Sequence, residues 1–323
     1  MCDEEDEIGK SLGLGVNSII TSQNGNYSIL KLLGEGGFGA VYKVNCTNPP
    51  SDVHYALKVE KKCAKRKDPK LQMEVSILEG LKKSNRSQHF TEIYDKGKTP
   101  TYYFVVMELV GKSLADIRDD LKRCYSIGCG IRIMIQCAEA INDFHSLGYI
   151  HRDLKPGNFC IGIKDKYRNV YLLDFGMARK FLNDKGEIKR PRKQVNFKGT
   201  LKFAPIRLHQ GREYSRKDDY ESWYYMLQDL VNKKGLPWKK LSDIHAIRAS
   251  KEESRKPENI DRLLGDFPCK ESFRQILLYI DKLDYVHAID FNFILTMMNE
   301  AAATVNSKPD DEYDWDVLAS KKE

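Results

Sequence analysis

Between residues 27 and 60 the apolar positions come in short runs. YSILKLL at 27–33, AVYKV at 40–44 and HYALKVE at 54–60 are rich in β-branched and aromatic residues, and the linking segments LGEGGFGA and NCTNPPSD are rich in turn formers. This pattern predicts an antiparallel meander. The period then changes: in PKLQMEVSILEGLKK at 69–83, Met73, Ile77, Leu78 and Leu81 fall on one stripe behind Pro69, as in a helix opened by a proline. FTEIYDKG at 90–97 and TYYFVVMEL at 101–109 return to strand patterning. From residue 130 to 147, Met134, Ala138, Ile141 and His145 recur at helical spacing and stop at Gly148, a residue that suits a helix end. YESWYYMLQDLV at 220–231 is apolar nearly all round, the signature of a helix with no solvent face. Segments 270–284 and 290–304 read as further helices. The expected layout is an acidic, flexible head at 1–20, a strand-rich part at 21–109, a short connection near 109–113, a larger helical part at 110–305, and a polar, acidic tail at 306–323 that is mobile or lies on the surface.

Composition changes this picture little. With 323 residues, 41% hydrophobic and 31% charged, the chain can bury a full core. No run approaches the roughly 18 apolar residues of a membrane span. MCDEEDEIGK lacks the basic and then apolar pattern of a secretion signal, so a cytoplasmic address is expected, with the nucleus as a second possibility. The eight cysteines form no CxxC pair and have no histidine at zinc-ligand spacing, which predicts reduced structural thiols. The net charge is +7, yet residues 1–9 hold five acids and residues 306–323 hold six acids against three bases, so the body is more basic than the whole. A basic body suits acidic protein, nucleic acid or anionic lipid, or is simply a solvated surface.

The candidate chemistry lies in motifs. LGEGGFGAVYKV holds G-x-G-x-x-G at Gly34, Gly36 and Gly39. In dinucleotide folds that motif joins a strand to a helix. Here it joins two strands, which favours a flap whose backbone amides cover nucleotide phosphates. In IHRDLKPGNF, Asp153 can accept a proton from an attacking hydroxyl, Lys155 can neutralise a transferring phosphoryl group, and Asn158 can hold a metal from the same loop. DFG at Asp174 to Gly176 follows the apolar run VYLL and offers a hard carboxylate ligand for magnesium.

These elements, in this order, resemble the eukaryotic protein kinase domain over about residues 25 to 305. The resemblance implies an α+β, bilobal fold, with a small antiparallel-sheet N-lobe carrying one main helix and a larger, mainly helical C-lobe. It also implies ATP and Mg2+ as cofactors. By resemblance Lys58 contacts the α and β phosphates and Glu74 pairs with it. Gly34, Glu35, Gly36, Gly37, Phe38, Gly39, Val41 and Ala56 line the nucleotide site. Met107 lies behind the adenine, and the Glu108 carbonyl and Val110 amide bond its edge. Asn158 and Asp174 hold the metal.

KDDYESWYYMLQDLVNKKGLPW and NFKGTLKFAPIRLH are similar to segments of the casein kinase I superfamily, and EYDWD resembles its tau-tubulin kinase branch, while Gly157 and Tyr224 depart from the commonest residues. This similarity implies that Asp219 braces the HRD backbone and that Thr200 bonds within the catalytic loop. Ala204-Pro205-Ile206 lacks the glutamate that most kinases pair with a buried arginine. Thr200 is the only Ser, Thr or Tyr between Asp174 and Pro205, so activity independent of activation-segment phosphorylation is expected. The basic run with Arg190, Arg192 and Lys193, then Lys198 and Lys202, reads either as solvated charge or as an anion site. The resemblance matches Arg192 to an arginine that holds a substrate phosphate, giving Arg192, Lys193 and Lys198 as candidates, while Ser242 stands where the family has a lysine, beside Lys239 and Lys240. A monomeric serine/threonine kinase for acidic or pre-phosphorylated protein substrates is thus expected. The alternatives are a kinase-like scaffold without efficient transfer and a nucleic-acid module, for which recognition motifs are missing.

Overall fold

The structure, a computed structural model, describes residues 12–36, 39–63 and 69–319. The chain divides into two compact units. The first comprises residues 1–111 together with 162–165 and 173–176, and the second comprises the remainder.

In the first unit β1 (Ile19–Thr21), β2 (Asn26–Gly36), β3 (Gly39–Asn48), β4 (Pro50–Lys61), β5 (Ile93–Lys98) and β6 (Tyr102–Glu108) form one antiparallel sheet in the order β1-β2-β3-β4-β6-β5, with α1 (Lys70–Lys83) after β4. Alternation explains β3: Ala40, Tyr42, Val44 and Cys46 are buried and the residues between them are not. They meet Tyr27, Ile29, Leu57, Val59, Phe104 and Val106 in one cluster. The opposite face takes Ala56, Val105 and Met107 against Leu71 of α1. The helix buries Leu71, Glu74, Ile77, Leu78 and Leu81, so the stripe is turned from the expected one: Met73 is only half-buried, because Glu74 occupies the inward position. NCTNPPSD is mostly strand, with the chain reversing at Pro49.

The boundaries also differ from the expected ones. Residues 19 and 20, expected in the flexible head, form β1 together with Thr21, with Ile20 buried, and Leu12 and Leu14 pack on the core. Asp174 and its neighbours belong to the first unit, although their place in the chain assigns them to the helical part.

The second unit is built around α3 (Ile127–Ser146) and α5 (Arg216–Val231), preceded by α2 (Leu114–Leu121) and separated by β7 (Tyr149–Ile150), β8 (Phe159–Ile161), β9 (Val170–Leu172), β10 (Arg179–Lys180) and α4 (Ile206–His209). It continues through α6 (Ile244–Glu253), α7 (Ile260–Leu264), α8 (Lys270–Lys282), α9 (Phe291–Thr304) and α10 (Asp316–Ala319). The all-round apolar α5 is buried on every side, and Trp223 Nε1 donates to the Met134 carbonyl of α3 at 2.9 Å. The short helices α2 and α6 bury few apolar residues, Leu114 and Ile117 in one and Ile247 in the other, too few to set a clear period. Their starts are nevertheless marked by the Ser113/Asp116 capping box and by Asp243.

Residues 306 to 317, expected as a mobile or surface-lying tail, are strapped over α3. Tyr313 and Trp315 are buried and stacked with centroids 4.2 Å apart, and Asp314 accepts from the Ser126 amide at 2.6 Å and hydroxyl at 2.8 Å. Two buried aromatics outweigh the polar composition. The seven described cysteines, Cys46 to Cys269, are free. Among the described residues no helix is long and apolar enough to cross a membrane.

Candidate functional site

The loop that carries Asp153 follows β7, which is fixed by pairing with β10. Behind it sits Asp219, in the first turn of α5 and fully buried. Its Oδ2 accepts from the His151 amide at 2.8 Å, its Oδ1 from the Arg152 amide at 2.9 Å, and His145 Nε2 lies 2.7 Å from Oδ2. Burial alone would raise its pKa, but the His145 bond and charge and the loop amides outweigh that and hold it below the usual aspartate value. Arg152 has φ of +73°, a conformation that costs a non-glycine residue energy. The two amide bonds and the Arg152 Nε bond to the Met177 carbonyl at 2.7 Å hold it there.

With the backbone fixed, the Asp153 side chain is pinned. Oδ1 accepts from the Thr200 amide at 2.9 Å and hydroxyl at 2.8 Å, and the Lys155 ammonium lies 3.0 Å from Oδ2. Asn158 donates its amide to the Asp153 carbonyl at 2.8 Å, which leaves its side-chain oxygen as the atom to offer a metal. Thr200 therefore has its hydroxyl committed to a carboxylate. A phosphate there would place up to two negative charges against Asp153. Peptide mass spectrometry of the active protein should show Thr200 unmodified, and Thr200→Val should lower kcat about tenfold, the value of one hydrogen bond to a charged group. An active form that depends on phospho-Thr200 would refute this.

The first unit holds the other expected groups. Lys58 Nζ lies 2.6 Å from Glu74 Oε2 and 3.8 Å from Asp174 Oδ1, joining β4, α1 and the DFG segment. Burial opposes its charge, but the Glu74 and Asp174 carboxylates prevail and keep its pKa above the usual lysine value. Asp174 has φ of +61°, and its Oδ1 accepts from the Gly176 amide at 3.3 Å. A Cβ on Gly176 would stand 3.1 Å from that same oxygen. Phe175 is buried with its ring 6.1 Å from Phe90.

The glycine motif divides in two. A Cβ on Gly39 would meet the Val59 carbonyl oxygen at 2.1 Å, so that glycine serves sheet packing, whereas at Gly34 and Gly36 it would meet nothing within 4 Å. Among the described residues nothing crowds a side chain at 34 or 36, so the backbone there is open to close approach. Gly37 and Phe38 lie outside the described residues. Glu35 pairs with Ala40 across the β2–β3 hairpin, and Ala56 and Met107 are cross-strand partners whose side chains pack with Val41 on one face. Among the described residues no cluster of three or more His, Cys, Asp and Glu side chains could hold a metal. Asp174 of the first unit and Asn158 of the second each offer a hard oxygen of the kind that magnesium takes.

The candidate anion site is rearranged. Arg192 directs Nε and Nη2 to the two oxygens of Glu213, at 2.5 and 2.8 Å, which also lowers the Glu213 pKa against the cost of its burial. It shares a cavity of about 230 Å³ with Arg152 and Lys198, while Lys193 is not part of its lining. A second cavity, of about 440 Å³, is lined by Arg118, Lys122, Arg123, Lys202, Lys233 and Lys239 against Asp119 and Asp229. Asp229 is occupied by Arg118 at 2.6 Å and Lys202 at 2.7 Å, and Arg123 meets Asp314 at 3.1 Å, which leaves Lys122, Lys233 and Lys239 against Asp119, a net positive charge. The sequence reading noted Lys202 and Lys239 but missed the cations of α2 and the segment after it, because that helix was not recognised. It also left unpaired the arginine that normally meets the missing glutamate at 206. Glu221 replaces it: its Oε1 accepts from the Ile206 amide at 2.9 Å and lies 3.3 Å from Arg255 Nη2, with Asp281 2.9 Å from Arg255 Nε.

Residues 27–282 match the family model described as the protein kinase domain. A probable serine/threonine-protein kinase of Dictyostelium discoideum is 31% identical over 310 residues, covering 95% of this chain and 59% of that protein, so the chain spans less than two thirds of it. A putative serine/threonine-protein kinase of Caenorhabditis elegans is 33% identical over 258 residues, 78% of this chain and 75% of the relative. A putative casein kinase I of the same organism is 33% identical over 251 residues, 75% and 69% of the two chains.

Proposed function

Because the chain belongs to the protein kinase family, in its casein kinase I-like group of serine/threonine kinases, we propose that it phosphorylates serine and threonine in acidic or pre-phosphorylated protein segments, using ATP and Mg2+. The observation that carries the substrate preference is the basic 440 Å³ cavity around Lys202, Lys233 and Lys239. Lys202 is two residues from Thr200, and Thr200 holds Asp153, so an anion bound there anchors a substrate to the segment that also fixes the base.

Asp153 accepts the hydroxyl proton as the oxygen attacks, and Lys155 offsets the charge that builds on the moving phosphoryl group. Lys58, fixed by Glu74, binds phosphate oxygens of the nucleotide. Asp174 and Asn158 each offer an oxygen that would suit magnesium, and the ion, when bound, would neutralise phosphate charge.

The test is transfer from labelled ATP with magnesium to casein, to an acidic pre-phosphorylated peptide and to a neutral peptide. Lys239→Glu should raise KM for the pre-phosphorylated peptide about tenfold, the value of one charge-assisted contact of about 1.4 kcal/mol, and change the neutral peptide less than twofold. Equal losses on both peptides, or losses from Arg192→Glu alone, would refute this cavity as the recognition site. Nucleotide binding without transfer by the parent protein would instead identify a scaffold.

A further inference from the structure

Helix α6 carries a lysine that the catalytic machinery as described does not use. Lys251 is fully buried, and among the described residues no carboxylate lies within salt-bridge reach of it. Instead Nζ donates to the Leu201 carbonyl at 2.8 Å and the Ala204 carbonyl at 2.6 Å, with His209 Nε2 at 3.1 Å. It also lies over the rings of Tyr225 and Trp238, 5.1 and 5.2 Å from their centroids. An ammonium has three donors, and here three acceptors surround it.

Those acceptors lie in and beside one short segment. Thr200 precedes Leu201, and its carbonyl accepts from the Phe203 and Ala204 amides at 3.0 and 2.9 Å. The Lys202 carbonyl is held by Trp238 Nε1 at 2.8 Å. Three of the four carbonyls from 201 to 204 are therefore fixed by side chains from outside the segment, two of them by Lys251. Burying an amine with no carboxylate partner is an expensive way to close a loop if packing were the only purpose.

We propose that Lys251 is a positioning residue for phosphoryl transfer: by clamping the Leu201 and Ala204 carbonyls it fixes Thr200, and through Thr200 the Asp153 carboxylate. This rests on the kinase reading of Asp153. The clamp needs the protonated amine, since a neutral one turns a lone pair toward one of three acceptors. Groups facing it set its proton affinity: burial is the largest influence and lowers it, Glu221 raises it, and Arg255, itself paired with Asp281, lowers it, leaving Lys251 at about 7. His209 is pulled down to about 4 by burial and by Lys251, so at neutral pH its ring accepts from the lysine. Tyr225 spends its hydroxyl on Glu221.

The experiment measures transfer from magnesium ATP to casein by the full chain, by Lys251→Met, by Thr200→Val and by the double variant, with cooperative thermal unfolding as the check on folding. Lys251→Met should lower kcat about tenfold with KM for ATP within twofold, since a displaced base costs turnover before binding. On the Thr200→Val background it should cost about threefold, less than on the parent, because the hydroxyl half of the link to Asp153 is already cut while the Thr200 amide bond remains. Should Lys251→Met fail to unfold cooperatively, Lys251→Gln, which keeps two N–H donors, takes its place. The pH profiles supply a second reading. The kcat of the parent should fall as pH rises through neutrality, and that fall should be absent in the variant. Stability moves the other way: with the folded pKa of Lys251 below its unfolded value, the unfolded chain holds more protons between about 7 and 10.5, so the parent gains stability relative to the variant across that window. Equal fractional losses on both backgrounds, or identical kcat profiles, would overturn the proposal. An inactive parent would defeat the kinase reading and this one together, whereas an active parent insensitive to Lys251→Met defeats this one alone.

Discussion

Asp153→Asn is expected to lower kcat on the order of a thousandfold while KM for ATP stays within a few fold. The side chain has one task that asparagine can mimic and one that it cannot. An amide oxygen can still accept from the Thr200 amide and hydroxyl, which now bond Oδ1 at 2.9 and 2.8 Å, so the loop should keep its shape. The amide nitrogen, however, would face the Lys155 ammonium that now lies 3.0 Å from Oδ2, donor against donor, and it has no proton affinity to draw on as the hydroxyl attacks. The variant should therefore unfold within about 1 kcal/mol of the parent. Steady-state transfer to casein, with denaturant unfolding alongside, checks both halves. A variant that retains a tenth of the parental kcat would show that another group takes the proton.

Asp219→Asn should do the converse and lose stability and activity together. The carboxylate is fully buried and serves three partners at once: the amides of His151 and Arg152 and the ring of His145. Asparagine can accept through one oxygen only, and its NH2 would meet one of those amides. Leaving a buried group of this kind uncompensated costs about 3 kcal/mol. The Arg152 backbone, no longer held at a φ of +73°, would relax and carry Asp153 with it. The pH dependence has a definite sign. Because the folded pKa of Asp219 lies below its unfolded value, its contribution is fully present above the unfolded value and disappears as pH falls through the folded one. Urea titrations should show the gap between parent and variant wide at neutral pH and closing only under strongly acid conditions. A gap under 1 kcal/mol at pH 7 with near-parental kcat would mean that the loop does not depend on this brace.

These two aspartates show how far local pattern reaches. Asp153, Lys155 and Asn158 sit within six residues of one another, so a single loop conformation fixes their mutual placement and spacing alone exposes them. Asp219 was reached only through family resemblance. Nothing in SRKDDYES says which of two adjacent aspartates turns toward a loop nearly seventy residues earlier, and the structure gives the neighbouring Asp218 a quite different task, capping α5 through Ser215. Burial pushes Asp218 up to about 7, the opposite direction from Asp219, because no cation meets it as closely.

The pairing of Glu221 with Arg255 has the same origin. The absence of a glutamate at 206 was legible, but its replacement depends on which face of an all-apolar helix looks toward Ile206. The basic cavity is assembled from α2 and the residues just after it, Lys202, the end of α5 and the segment 232–239, which share no period. The tail gave a misleading signal for a related reason. Its mean polarity was read correctly, yet the apolar anchors are two residues, Tyr313 and Trp315, joined by the Asp314 bonds to Ser126.

By itself, then, the amino-acid sequence determined the alternation that makes a meander of residues 26 to 61, the all-round apolar helix at the centre of the second unit, and the chemistry of every group held within one loop, since each follows from neighbours a few residues apart. The tertiary structure alone decided which charges neutralise one another, that Arg192 is committed to Glu213, and that a lysine in a polar-looking helix closes on the backbone next to Thr200. Those outcomes depend on contacts across tens to hundreds of residues, where burial and geometry set the energy and no periodic trace is left in the chain.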